Sequence, residues 1–173
     1  MIILGVDPGS LKTGYGAIRT DGQRHSLLEM GVLAVPRALE FPLRLRFIHE
    51  GLTGLIARLH PDVLAVEDVF HSLNSRSALV LGHVRGVILL AGAAASLPVR
   101  AHAPASVKLQ VTGFGGAEKV QVALMVARHL GLRMDDAPRD ATDALAVALC
   151  DAHLHGRTSV LHPTLPGKGS AAR

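Results

Sequence analysis

The chain has 173 residues and a hydrophobic fraction of 49 %, which is enough for one domain with a substantial aliphatic core. Its one cysteine, Cys150, excludes a disulfide framework and a thiolate zinc site, and the apolar stretch at residues 87–97 is too short to span a bilayer. Eighteen Lys and Arg residues against fourteen acids give a formal charge of +4, which suits binding to a polyanion and equally ordinary solubility charge. The first apolar run has no charged leader before it, so we expect a cytoplasmic protein without a membrane segment.

Three strands are predicted in the first 35 residues. Residues Ile2–Asp7 form an apolar run that ends in Asp7, which is typical of a strand buried on both faces. The turn residues Pro8-Gly9-Ser10 follow, and a second strand starts at Gly14. Because Asp21-Gly22 is a hairpin signal and residues 25–35 read as a third strand, we expect an antiparallel meander.

Helices and short strands are predicted to alternate after this meander. An amphipathic helix with its apolar face on residues 45–59 is followed by a short buried strand, Val63–Glu67. A longer helix is predicted at residues 74–95. It carries Gly82 and Gly86, and small residues four apart let another helix come close, either in the core or at a subunit contact.

The remaining pattern predicts one more strand and two more helices. The strand covers residues 99–103. The first helix covers residues 117–130, with Val120, Leu124 and Ala127 as its apolar positions. The second begins near Asp140 and runs to about residue 155.

This order of elements predicts an α/β domain. Its sheet should be mixed and five-stranded, with three antiparallel strands followed by parallel strands, and helices should flank it. We expect the domain to cover residues 1–156 and residues 157–173 to form a flexible tail, since the end of the chain is rich in Gly, Ser and Ala.

Four carboxylates are placed against apolar elements. Asp7 and Glu67 each end a strand, and ligands of open α/β sheets gather at the carboxyl ends of strands. Asp140 and Asp143 lie three residues apart, on one face of the last helix. Each acid alone has an ordinary alternative as a turn cap or a surface charge. Asp68 should point to the opposite face of its strand from Glu67.

The set of four acids favours a metal-dependent nuclease. Clustered carboxylates repel one another unless a cation lies among them, and an all-oxygen ligand set suits Mg²⁺ or Mn²⁺. Two such ions can activate a water and stabilise a leaving 3′-oxygen, so we expect phosphodiester hydrolysis without a covalent intermediate.

Other residues are candidates for DNA contact. Lys108 and Lys119 flank a glycine-rich loop and would form a basic rim, although solvated lysines are an equal alternative. Phe70 lies in a polar stretch where an aromatic ring could stack on an unpaired base, or it could tuck into the core. Arg76 ends that stretch and is a further candidate.

Four blocks of the sequence resemble the RuvC family of Holliday-junction resolvases, in order and spacing, over nearly the whole chain to about residue 155. The blocks are Asp7-Pro-Gly-Ser-x-x-x-Gly-Tyr-Gly16, Val66-Glu-Asp-Val-Phe70, Gly113-Phe-Gly-Gly-Ala-Glu-Lys119 and Asp140-Ala-Thr-Asp-Ala-Leu-Ala146. The family's second block often has Gln where this chain has Asp68.

The resemblance implies a ribonuclease H-like fold and a bacterial homodimer that nicks four-way DNA junctions symmetrically with Mg²⁺ or Mn²⁺, two ions per subunit. It also implies a partnership with the RuvA–RuvB branch-migration complex. At matching positions, the metal ligands would be Asp7, Glu67, Asp140 and Asp143, and the DNA contacts would include Phe70, Lys108 and Lys119. The helix with Gly82 and Gly86 would pack at the dimer interface.

Two alternatives follow from the residues themselves. Asp7-x-Gly9 also opens the phosphate loop of actin-like ATPases, but those enzymes need a duplicated domain and a second such loop. A junction-binding module without catalysis would lack the four acids. A structure-selective endonuclease is therefore the leading hypothesis.

Overall fold

The computed structural model describes residues 1–68, 75–133 and 137–155. Five strands form one mixed sheet with the order β3-β2-β1-β4-β5. The strands are β1 (Ile2–Asp7), β2 (Lys12–Thr20), β3 (His25–Ala34), β4 (Val63–Glu67) and β5 (Val99–His102). The first three are antiparallel, whereas β4 pairs in parallel with both β1 and β5, which confirms the predicted fold class.

Helices cover both faces of the sheet. They are α1 (Phe41–Leu59), α2 (Ser75–Ala94), α3 (Pro104–Thr112), α4 (Lys119–Leu130) and α5 (Arg139–His155). One core lies between the sheet and α1 and α2, and a second lies between the sheet and α3, α4 and α5. Cys150 is fully buried in the second core.

Two helix predictions need correction. The helix α3 was not predicted, because nine residues with little separation of apolar and polar faces give a weak periodic signal. In α4 the predicted apolar face was wrong in part: Ala127 is buried as predicted, but Val120 and Leu124 are 70 % and 55 % exposed, while Val122 and Val126 are buried. Both pairs have the i, i+4 spacing, so only the packing of α4 against the domain distinguishes them.

The helix α2 has one buried face and one exposed apolar face. By length and composition alone, this helix of twenty residues could cross a membrane. The shorter apolar stretch at residues 87–97 did not predict this property. Val84, Ile88 and Ala91 pack in the core. Leu79 and Leu90 lie on the other side, exposed.

The helix α5 lies so close to the sheet that glycines are required beneath it. A Cβ added to Gly14 would lie 1.9 Å from the carbonyl oxygen of Asp140, and one added to Gly5 would lie 2.2 Å from that of Ala144. Because backbone atoms cannot yield as a flexible side chain can, these two glycines determine how closely α5 approaches β1 and β2.

We expect Gly14→Ala to lower the free energy of unfolding by roughly 1–3 kcal/mol, since the new methyl group must push α5 away from the sheet. Urea denaturation measures this. The matched control is Gly54→Ala in α1, where an added Cβ meets no atom within 4 Å and removal of a helical glycine should stabilise by up to about 1 kcal/mol. Equal losses in both variants would contradict the close approach of α5.

Candidate active site

Asp7 and Glu67 lie side by side at one edge of the sheet. They end the parallel neighbours β1 and β4, in which Val6 pairs with Val66. Side chains alternate along a strand, and Ile3 and Ala65 belong to the core under α5. Asp7 and Glu67 therefore face α5 as well.

The carboxyl groups of Asp7 and Glu67 interact with each other, and this interaction changes the pKa of both. Burial, the neighbouring negative charge of Glu67 and that of Asp143 raise the pKa of Asp7 to about 8. Burial also raises the pKa of Glu67, although the hydrogen bond from Asp7 acts in the opposite direction. At neutral pH this pair therefore holds a proton that two solvated carboxylates would have lost.

The first turns of α5 bring Asp143 to the same place. Its negative charge acts on both Asp7 and Glu67, and it lines a cavity of about 300 Å³ with them. Asp140, one turn earlier, lines an adjoining cavity of about 550 Å³ that also contains Asp143 and Lys119. The structure thus groups three of the four acids in one cavity and places Asp140 next to them.

Two lysines complete the cavity. The Nζ atom of Lys119 lies 3.0 Å from Oδ2 of Asp143, and this hydrogen bond raises the pKa of Lys119. Lys108, from α3, lines the same cavity and its charge acts to lower the pKa of Glu67. The predicted basic rim therefore lies directly against the carboxylates.

The donor set of this cavity fits a hard divalent cation. All three carboxylates offer oxygen atoms, the ligands that Mg²⁺ and Mn²⁺ prefer. Across the three ranges that the structure describes, no three acid, His or Cys side chains converge on one ion position. The raised pKa of Asp7 and the ion pair of Lys119 with Asp143 both reduce the negative charge of the cavity, and a divalent cation would compensate the same charge.

Asp68 is turned away from this cluster. Its Oδ1 atom lies 2.7 Å from a terminal nitrogen of Arg85 on α2, on the opposite face of the sheet. The prediction that Asp68 points away from Glu67 is therefore confirmed, and its charge is balanced by an arginine.

Several other candidates have different outcomes. Phe70 lies outside the described residues, as does the predicted tail. Arg76 is exposed in the first turn of α2. Gly82 and Gly86 lie on the exposed face of α2, where an added Cβ would meet no atom within 4 Å, so packing within the subunit does not require a glycine at either position.

Sequence reasoning missed a buried charge network behind the site. Asp151, fully buried on α5, accepts hydrogen bonds from Arg100 at 3.0 Å and from His102 at 2.9 Å. Burial acts to lower the pKa of His102, but the hydrogen bonds to Asp151 and Cys150 raise it to about 9. Because His102 pairs with Glu67 in the sheet, the network ties α5 to the strand beside β4.

Comparison with known proteins identifies the family. The family described as crossover junction endodeoxyribonuclease RuvC matches residues 3–151. A protein of that description from Syntrophomonas wolfei is 43 % identical over 169 residues, covering 98 % of both chains. The chain belongs to the RuvC family. It is an endodeoxyribonuclease, and enzymes of this family depend on a metal.

Solved structures agree with the RuvC assignment. The RuvC structure from Thermus thermophilus has a TM-score of 0.83 at 33 % identity and covers 92 % of this chain and 97 % of its own. The same protein in complex with Holliday junction substrate has a TM-score of 0.86 at 32 % identity, with the same coverage. The yeast mitochondrial resolvase Ydc2 shares the fold at 12 % identity, with a TM-score of 0.67.

Proposed function

We propose that this protein resolves four-way DNA junctions as a homodimer, by two symmetric nicks that hydrolyse phosphodiester bonds. The observation that carries the proposal is the cavity in which three carboxylates, Asp7, Glu67 and Asp143, meet Lys108 and Lys119. Membership of the RuvC family supports the choice of substrate. The complex of the Thermus thermophilus relative with a Holliday junction supports it further.

The metal would be Mg²⁺, with Mn²⁺ as an alternative, and each subunit would bind two ions. The ligands would be the carboxylates of Asp7, Glu67, Asp143 and the adjacent Asp140. When bound, the metal supplies a water activated for attack and charge stabilisation for the leaving 3′-oxygen.

The chain's own residues bind and orient the scissile strand. Lys119 is exposed at the rim and can exchange its ion pair with Asp143 for a contact to a phosphate. Lys108 lines the same cavity and can hold a second phosphate oxygen. Cleavage with a 3′-oxygen leaving group gives 5′-phosphate nicks that a ligase can seal.

The exposed apolar face of α2 would form the dimer interface. Leu79 and Leu90 are 65 % and 59 % exposed, and Gly82 and Gly86 between them leave room for another helix. A two-fold interface presents the same patch from both subunits, which suits a junction that needs two coordinated cuts.

Replacing Gly86 by Arg should prevent dimer formation without unfolding the subunit, because its Cβ position is open and the new charge would lie on the apolar face. We expect a monomer by light scattering and junctions with one nicked strand instead of paired nicks. Gly54→Arg, at an equally open helical glycine on α1, is the control. A Gly86→Arg protein that stays dimeric would contradict this interface.

Further features complete the proposal. The basic charge of the chain supports DNA binding, and Phe70 and Arg76 would be additional DNA contacts. The protein would act in the cytoplasm, with the RuvA–RuvB complex as a partner. We retain residues 1–156 as the nuclease domain and residues 157–173 as a flexible tail.

The decisive experiment incubates the protein with a synthetic four-way junction, a duplex and a single strand of matched sequence, each with Mg²⁺ or with EDTA. We expect symmetric, ligatable nicks only in the junction, and only in the presence of Mg²⁺. Equal cleavage of the duplex, or cleavage in EDTA, would refute the proposed function.

A further inference from the structure

The ion pair between Asp68 and Arg85 joins the active-site strand to the helix with the exposed apolar face. Asp68 directly follows Glu67, the last residue of β4, and its backbone N–H donates to the carbonyl of His102 at 2.8 Å. Its carboxylate reaches Arg85 on α2 at 2.7 Å. The chain immediately after Glu67 is therefore held by the sheet on one side and by α2 on the other.

Both members of the pair are largely withdrawn from solvent. Their side chains are 31 % and 25 % exposed, in contrast to the pair of Arg46 and Glu50 on α1, at 71 % and 61 %. In addition, the Nε atom of Arg85 is buried and has no hydrogen-bond partner among the described residues. Loss of Asp68 would leave this guanidinium without its carboxylate, so the side chain would have to turn toward water and release the contact.

The pair also lies close to the exposed face of α2. Arg85 precedes Gly86 and follows Gly82 by three residues, so its backbone moves with the surface on which a second subunit would pack. A shift of α2 would move Arg85 and, through the ion pair, Asp68. Because Glu67 directly precedes Asp68, the shift would also displace Glu67. Glu67 lines one cavity with Asp7 and Asp143, so a displacement of its carboxylate would change the spacing of the three acids.

We propose that Asp68 and Arg85 are positioning residues. Through their ion pair, the position of α2 determines the position of the Glu67 carboxylate. This inference rests on the proposed function, because it assigns to α2 the dimer contact and to Glu67 a metal ligand. Packing of a second subunit on α2 then holds Glu67 in its working position. As positioning residues, Asp68 and Arg85 would act through Glu67 and not by direct contact with the DNA or the metal.

The test removes each partner and both together. Asp68→Ala and Arg85→Met should each slow single-turnover nicking of a saturated junction by about tenfold, since a small misplacement of a catalytic group is costly. The double variant should be no slower than the worse single variant, because both remove one interaction. Arg85→Lys, which keeps the charge, should restore most of the rate.

Two measurements separate positioning from loss of stability or binding. The affinity for Mn²⁺ without DNA should fall by about tenfold in both single variants, as when support for a metal ligand is lost. Junction affinity and the dimer dissociation constant should remain unchanged at a temperature where all variants are folded. Arg46→Met and Glu50→Ala, which break the exposed pair on α1, should match the wild type in every assay.

The outcomes distinguish the two proposals. Single variants with wild-type rates and wild-type Mn²⁺ affinity would overturn the coupling, as would a double variant whose loss is the product of the two single losses. A wild-type protein that does not nick the junction would overturn the proposed function instead. The Mn²⁺ affinities would then still decide whether the pair positions Glu67.

Discussion

Asp7→Asn is expected to abolish junction nicking, by roughly three orders of magnitude or more, while junction binding is retained. Asp7 lines one cavity with Glu67 and Asp143, and the negative charges of both residues act on it. The amide keeps the size of the side chain and can still donate a hydrogen bond to Glu67, but it is a poor metal ligand. Nicking rates and binding by gel shift measure the two effects separately.

The same substitution should raise the thermal stability of the metal-free protein. Since the pKa of Asp7 is raised from 3.8 to about 8 in the folded state, the fold favours the protonated form, and stability falls as the pH rises from 3.8 toward 8. The gain in melting temperature of Asp7→Asn over wild type in EDTA should therefore be small near pH 4 and largest above pH 8. A gain that does not change with pH, or nicking that survives, would contradict the role of Asp7.

Asp151→Asn should be the most destabilising of the conservative substitutions considered, lowering the free energy of unfolding by about 3–5 kcal/mol. The carboxylate of Asp151 is fully buried and balances Arg100 and His102. The variant leaves these two groups without a counter-charge in the core between α5 and β5. Urea denaturation measures the loss, and Glu50→Gln in the exposed pair with Arg46 should change stability by less than about 1 kcal/mol.

The network also predicts a pH dependence with a definite sign. The pKa of His102 is raised from 6.5 to about 9, so the stabilisation from its protonated form is fully present below pH 6.5 and is lost as the pH rises through 9. The free energy of unfolding should be measured as a function of pH in the Asp7→Asn variant. This variant lacks the loss of stability that ionisation of Asp7 causes below pH 8. In that background His102→Asn should flatten the decline between pH 6.5 and 9, and an unchanged decline would contradict a protonated His102.

Much of the fold could be predicted because the elements follow local periodicity. The strand Val63–Glu67 was predicted with its observed bounds, and α2 differs from the prediction by one residue at each end. The helix α3 could not be predicted in this way, since its short pattern has no clear apolar face. The buried face of α4 could be predicted only at Ala127, because two other pairs of apolar residues had the same spacing.

The sequence by itself determined the type of each long element and the delivery of Asp7 and Glu67 to one edge of the sheet, because strand order and side-chain alternation follow from neighbouring residues. Only the tertiary structure decided which groups meet there. The packing of α5 on β1 and β2 brings Asp143 into the cavity and leaves Asp140 beside it. Tertiary packing also brings Arg85 to Asp68 and His102 to Asp151. These pairs are 17 and 49 positions apart in the chain, and no local sequence pattern encodes contacts at such separations.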